Sequence, residues 1–130
     1  MMLIDSYGWI EYFTDGPLAE RYAPYIEGAN EENTITPTII LYEVYKKIKG
    51  SRGEGEALEA YAQLSRTRIT PLTEDIAMKA ADISLEFKLG MADAIIVATA
   101  ETYDAVIVTS DKHLRGLRNV EFIGVEDGED

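Results

Sequence analysis

Apolar residues in this chain fall into short runs that alternate with longer stretches of helical period. Residues 2–5, Met2-Leu3-Ile4-Asp5, read as a short buried strand. Ser6 suits an N-cap, and a helix follows it to Phe13. Asp15-Gly16-Pro17 stops that helix, and Pro17 fits the first turn of a second one ending near Gly28. Thr34-Ile35-Thr36 predicts a second strand, ended by Pro37, after which Thr38 caps a helix to Gly50. Residues 50–55 hold three glycines and predict a flexible loop. Beyond it come a helix over 56–65, a strand over 68–72 and a helix over 73–88 opened by Thr73 or Asp75. Residues 91–103 predict a helix that is apolar on nearly every side, which suits a central, buried position. A β-branched strand over 105–108 and a partly alternating one over 120–125 follow, leaving 126–130 as an acidic, frayed tail.

Strands that alternate with helices throughout imply a parallel sheet with helices on both faces. There is no internal repeat and no long linker, so residues 1–130 read as a single three-layer α/β/α domain. Its central parallel sheet is expected to have about four to five strands. A chain of 130 residues is one ordinary domain. The absence of cysteine removes disulfides, zinc–thiolate sites and thiol nucleophiles. The opening apolar run is too short and too soon acidic for a secretory signal. The longest apolar stretch, residues 94–100, falls far below the ~20 residues that span a bilayer. A soluble, cytoplasmic protein without a membrane partner is the expectation.

The formal charge of −12 argues against a general nucleic-acid-binding module. The distribution of cations softens that reading. Seven of the twelve Lys and Arg residues lie in two short segments: Lys46, Lys47, Lys49 and Arg52, then Lys112, Arg115 and Arg118. They suit either a basic rim for a phosphate backbone or solvated helix ends, where cations complement the helix dipole.

Four acids occupy positions that are hard to explain structurally. Asp5 closes the first strand, Glu43 interrupts an apolar helix face, Asp93 precedes a buried apolar run and Asp111 follows the β-branched strand. Each falls near the C-terminal edge of the predicted sheet, where open α/β sheets bind ligands. Taken alone, Asp5, Asp93 and Asp111 each suit a turn or a helix start. Glu43 does not, because with Ile40, Val44 and Ile48 it shares the inward side of its helix. An unpaired buried carboxylate costs several kcal/mol, so a Lys, an Arg or a metal should stand nearby. Four carboxylates gathered at one edge repel one another unless a hard divalent cation holds them, which favours the metal.

Rival constellations are weaker. His113 is the only histidine and no Gly-x-Ser-x-Gly elbow accompanies it, which speaks against a Ser-His-Asp hydrolase and against multi-histidine zinc. The glycines of residues 50–55 lack the Gly-Lys-Ser/Thr ending of a phosphate loop. A phospho-acceptor receiver needs an acidic pair after its first strand and a lysine after its fifth, and neither is present. Tyr42 and Tyr45, like Trp9 and Tyr7, read as core or interface aromatics rather than base-stacking platforms.

Four segments in order carry a resemblance. They are Leu3-Ile4-Asp5-Ser6-Tyr7-Gly8-Trp9, Thr36-Pro37-Thr38-Ile39-Ile40-Leu41-Tyr42-Glu43, Leu89-Gly90-Met91-Ala92-Asp93-Ala94-Ile95-Ile96 and Val108-Thr109-Ser110-Asp111-Lys112-His113-Leu114. The chain resembles the PIN-domain ribonucleases, most closely the small VapC-type toxins, over essentially its whole length. Leu114 stands where that family usually has an aromatic. The resemblance implies cleavage of RNA by hydrolysis, with Asp5, Glu43, Asp93 and Asp111 as direct or water-mediated ligands of Mg²⁺ or Mn²⁺. It implies that Thr109, and with it Ser6, orients a water or the phosphate. Lys46, Lys47, Lys112 and Arg115 become candidates for the RNA backbone. It further implies a homodimer and a small antitoxin protein that blocks the site. The alternatives are a housekeeping nuclease of the same fold, or an inactive interaction module in which the acids are structural.

Overall fold

The apolar runs at the centre of the sheet become strands that are largely buried on both faces, as near-continuous apolar segments of a parallel sheet must be, while the two edge strands are partly exposed. A computed structural model of the chain describes residues 1–125. In chain order the elements are β1 (Met2–Ile4), α1 (Ser6–Phe13), α2 (Ala19–Glu27), β2 (Thr34–Pro37), α3 (Thr38–Arg52) and α4 (Glu54–Leu64). Then come β3 (Arg68–Thr70), α5 (Glu74–Phe87), α6 (Met91–Thr102), β4 (Val106–Thr109) and β5 (Val120–Phe122). The five strands pair in the order β3-β2-β1-β4-β5, all parallel, with helices flanking the sheet. Leu3 sits in register with Ile35 on one side and Ile107 on the other. The chain steps outward from β1 to β2 and β3, then returns to place β4 on the opposite side of β1. Between β1 and β4 lies the switch point, where a crevice opens at the carboxyl ends of the strands.

The core carries the expected residues. Leu3, Ile4, Ile35, Ile107 and Val108 are buried in the sheet, and Ile40, Val44 and Ile48 mark the inward stripe of α3. Residues 94–100 of α6 are buried without a break, as an all-apolar helix requires. No helix among the described residues is long and apolar enough to cross a membrane.

Several local expectations change. The N-cap of α1 is Asp5 rather than Ser6, because the Asp5 carboxylate reaches the Gly8 amide while Ser6 is already helical. Helix α3 is preceded by Pro37, and Thr38 is its first residue rather than its cap. Thr73, not Asp75, caps α5 and accepts from the Ile76 amide. The predicted loop over 50–55 shrinks to one residue. Gly50 continues α3, and α4 starts at Glu54 and packs back against α3. The reversal is taken by Gly53 at φ 92°, ψ 173°, a conformation essentially reserved for glycine. Strands β3 and β5 end at Thr70 and Phe122, short of the expected 72 and 125. The tail 126–130 lies outside the described residues.

Candidate active site

Asp5 leaves β1 at its carboxyl end, beside Thr109 at the end of the neighbouring β4. Its two carboxylate oxygens are both engaged. Oδ1 accepts the Gly8 amide at 2.8 Å and Oδ2 accepts the Thr109 hydroxyl at 2.6 Å. The same Thr109 Oγ1 accepts the Asp111 amide at 3.0 Å, so one hydroxyl ties the first acid to the backbone of the last. Glu43 arrives from the second turn of α3 and Asp93 from the first turn of α6. These four acids, with Ser6 and Thr109, line one cavity of about 420 Å³. The sequence-predicted acids are therefore brought together at the switch point.

The electrostatics of the cavity are those of carboxyls drawn out of water, with like charges adding to the effect. Burial pushes the Asp5 carboxyl up, opposed by the hydrogen bonds from Thr109 and Gly8, with Asp111 adding to the rise. Burial raises Glu43, the Ser6 side chain opposes it, and the negative charge of Asp93 adds to it. Burial also raises Asp93, together with Asp111 and against His113. Repulsion thus runs from Asp5 to Asp111 to Asp93 to Glu43 without interruption. Oε1 of Glu43 is buried with no hydrogen-bond partner, so the cation expected beside it is not a Lys or Arg among the described residues.

Such a donor set, all hard carboxylate and hydroxyl oxygen with one orphaned buried acceptor, fits a hard divalent cation. As the side chains stand, no three acidic or histidine groups among the described residues are arranged to hold a metal ion. The fit is therefore one of donor chemistry and common placement, not of a closed shell.

The predicted cations divide. Lys46 and Lys47 line a second cavity that shares Ser6 and Glu43 with the acid cavity, so they adjoin the site. Lys112 and Arg115 are exposed on the turns that follow β4 and line neither cavity. The Arg115 guanidinium lies 4.8 Å from the Phe122 ring centroid. Among the aromatics, Trp9 is buried as expected, whereas the Tyr7 and Tyr42 rings stand half in solvent.

Tyr22 belongs to the site although the sequence does not single it out. Its phenol, carried in from α2, donates to Ser110 Oγ at 2.8 Å and accepts the Ser110 amide at 2.9 Å. It lies beside the Asp5 carboxylate, and burial next to that charge holds its own ionisation far above the ordinary tyrosine range. Gly8 makes the approach possible, since a Cβ there would fall 2.2 Å from the Tyr22 ring. In sequence Tyr22 reads only as a member of the inward stripe with Ile26, because its partner is 88 residues away.

A family model described as PIN domain matches residues 2–120. No curated protein matches the chain. Among solved structures the chain is similar to one from a toxin–antitoxin complex of Klebsiella pneumoniae. The two are 25% identical at a TM-score of 0.79, and the match covers 93% of this chain and 96% of that one. It is similar in fold to a chain of DNA-bound VapBC from Salmonella typhimurium, at 18% identity and TM-score 0.75 over 94% and 97% of the two chains. It also shares the fold of VapC20 from Mycobacterium tuberculosis, a sarcin-ricin loop cleaving toxin, at 16% identity and TM-score 0.71 over 89% and 95%.

Proposed function

The chain belongs to the PIN domain family, and from that premise we propose that it is a metal-dependent ribonuclease, the toxin of a toxin–antitoxin pair. The observation that carries the reading is the gathering of Asp5, Glu43, Asp93 and Asp111 from four separate elements into one cavity. An inactive scaffold gains nothing from crowding four repelling carboxylates, one buried and three half-buried, around one cavity. The toxin part of the proposal draws on the Klebsiella complex, which is similar over nearly the full length of both chains.

In this reading Asp5, Asp93 and Asp111 hold Mg²⁺ or Mn²⁺, and Glu43 positions a water or a second ion. A divalent cation there supplies the positive charge that acidifies water near neutral pH and neutralises the scissile phosphate. Thr109 keeps Asp5 and the Asp111 backbone in one fixed relation through its single hydroxyl. Ser6, at the cavity wall, orients the phosphate or a water. Lys46 and Lys47 bind the RNA backbone beside the cavity, and Lys112 and Arg115 take it further out on the rim. The partners are a small antitoxin and a second copy of the chain, and the working place is the cytoplasm.

The test is cleavage of a mixed RNA by purified protein with Mn²⁺ or Mg²⁺, beside EDTA and the Asp93→Asn and Asp5→Asn variants. Metal-dependent cutting that vanishes in EDTA and in both folded variants is the expected result. A folded Asp5→Asn protein that cuts as well as wild type would sink the assignment.

A further inference from the structure

We propose that the cavity adjoining the acids is a nucleotide subsite: Tyr42 stacks a base of single-stranded RNA, and Lys46 and Lys47 hold the neighbouring phosphate. The proposal rests on the ribonuclease reading and extends it to how the substrate strand is gripped.

The cavity, about 560 Å³, has Tyr42, Lys46, Lys47 and Ser51 on one side and shares Ser6 and Glu43 with the acid cavity. A strand with its scissile phosphate at the acids therefore has a continuous path across the Ser6–Glu43 wall. Tyr42 immediately precedes Glu43 on α3, so one helical turn presents both an acid to the first cavity and a ring to the second. That ring is 57% exposed, while Ile40, Val44 and Ile48 of the same helix are fully buried. It is thus no part of the core. Its phenol accepts from the Lys46 amine at 3.3 Å, and the amine stands 5.5 Å from the ring centroid. An aromatic platform beside unneutralised cations is the combination with which proteins hold single-stranded nucleic acid.

The pairing of charges along α3 points the same way. The chain has twice as many acidic as basic residues, 24 against 12. Further along α3, Lys49 and Arg52 are matched by Glu54 and Glu56 of α4, at 4.0 and 3.6 Å. Among the described residues Lys46 and Lys47, the two α3 cations that line the cavity, have no carboxylate partner, although acids are plentiful. Cations left unpaired at the mouth of an acidic cleft suit an anionic ligand that arrives from outside.

The experiment measures a fluorescently labelled single-stranded RNA on the full chain, by anisotropy in Ca²⁺ and by steady-state cleavage in Mn²⁺. Tyr42→Ala is expected to weaken binding about ten- to a hundredfold, the range for loss of one base–aromatic stack. The loss should appear in KM, with kcat nearly unchanged. Tyr42→Phe keeps the ring and should restore most of the affinity. Lys47→Ala should flatten the dependence of log affinity on log salt by about 0.7. Because Tyr42 and Lys47 are exposed, unchanged circular dichroism and melting are expected to accompany these effects. Wild-type affinity in Tyr42→Ala, in a protein that cuts RNA, overturns the subsite while the nuclease stands, and leaves this face to a protein partner. A loss as large in Tyr42→Phe as in Tyr42→Ala also overturns it, by assigning the effect to the hydroxyl. Tyr42-dependent binding without cutting upholds the subsite and removes the nuclease. A wild-type protein that neither binds nor cuts RNA overturns both.

Discussion

Two hydroxyls brace the segment that carries Asp111: Thr109 ties it to Asp5, and Tyr22 holds Ser110 beside it. Thr109→Val keeps the shape of the β4 terminus but removes the donor to Asp5 Oδ2 and the acceptor for the Asp111 amide. Orphaning buried polar groups costs about 1–3 kcal/mol. Urea denaturation should therefore report a loss of that order, and cleavage should fall at least about tenfold as the acids lose their fixed relation. Thr109→Ser should retain both bonds and most activity. Tyr22→Phe strands the Ser110 amide in the same way, so a similar stability loss is expected, with cleavage reduced more than RNA binding. The two residues differ in how far sequence exposes them. Thr109 sits two positions from an acid in a recognisable segment. Tyr22 looks like any core aromatic, and only the fold joins it to Ser110. The acids themselves were legible because an apolar run that ends in, or is broken by, a carboxylate violates the hydrophobic pattern. The absence of a closed ligand shell was not legible, because it depends on rotamers rather than on spacing.

At the scale of elements, what sequence conveyed best was the strongly patterned segments. The β-branched run of β4 and the all-apolar α6 leave no other reading, and strand–helix alternation leads directly to a parallel sheet. The strand order does not follow from pattern, since it depends on which apolar faces meet. Residues 50–55 misled for a physical reason: three glycines lower helix propensity, yet only one of them needs to be glycine. Gly50 lies exposed within α3, and a Cβ at that position would meet nothing within 4 Å. Gly50→Ala should accordingly stabilise the protein by about 1 kcal/mol through helix propensity. Gly53 takes the reversal between α3 and α4 at φ 92°. Gly53→Ala should cost about 1–3 kcal/mol even though open space surrounds it. Thermal melts of the two variants should move in opposite directions by a few degrees each. Equal losses for both would mean that the α3–α4 junction is a loop after all.

The whole molecule carries a net charge of −12 and keeps four of its acids in one crevice, so its stability is linked to pH and to divalent cations. Asp5, Glu43 and Asp93 have carboxyls raised above their ordinary values, chiefly by burial. A raised acid favours the folded state fully below its unfolded pKa, about 4. That contribution is lost as pH rises through the folded value. Without metal, wild type should therefore lose stability relative to Asp93→Asn as pH climbs from about 4, and the gap should level off once Asp93 is ionised. Asn stays neutral, so the comparison removes the change in overall charge repulsion that both proteins share. At neutral pH the metal-free Asp93→Asn protein should melt higher than wild type while failing to cut RNA. Added Mg²⁺ should reverse the order, since a ligand that binds only the folded state stabilises whichever protein holds it. Melting curves over this pH range, with and without Mg²⁺, test both halves at once. Asp93→Asn melting below wild type at neutral pH without metal would contradict the repulsion. An equal Mg²⁺ shift in both proteins would place the cation elsewhere than beside Asp93. Both expected signs together would mean that the molecule gives up stability in its free form to keep a site only a cation can complete.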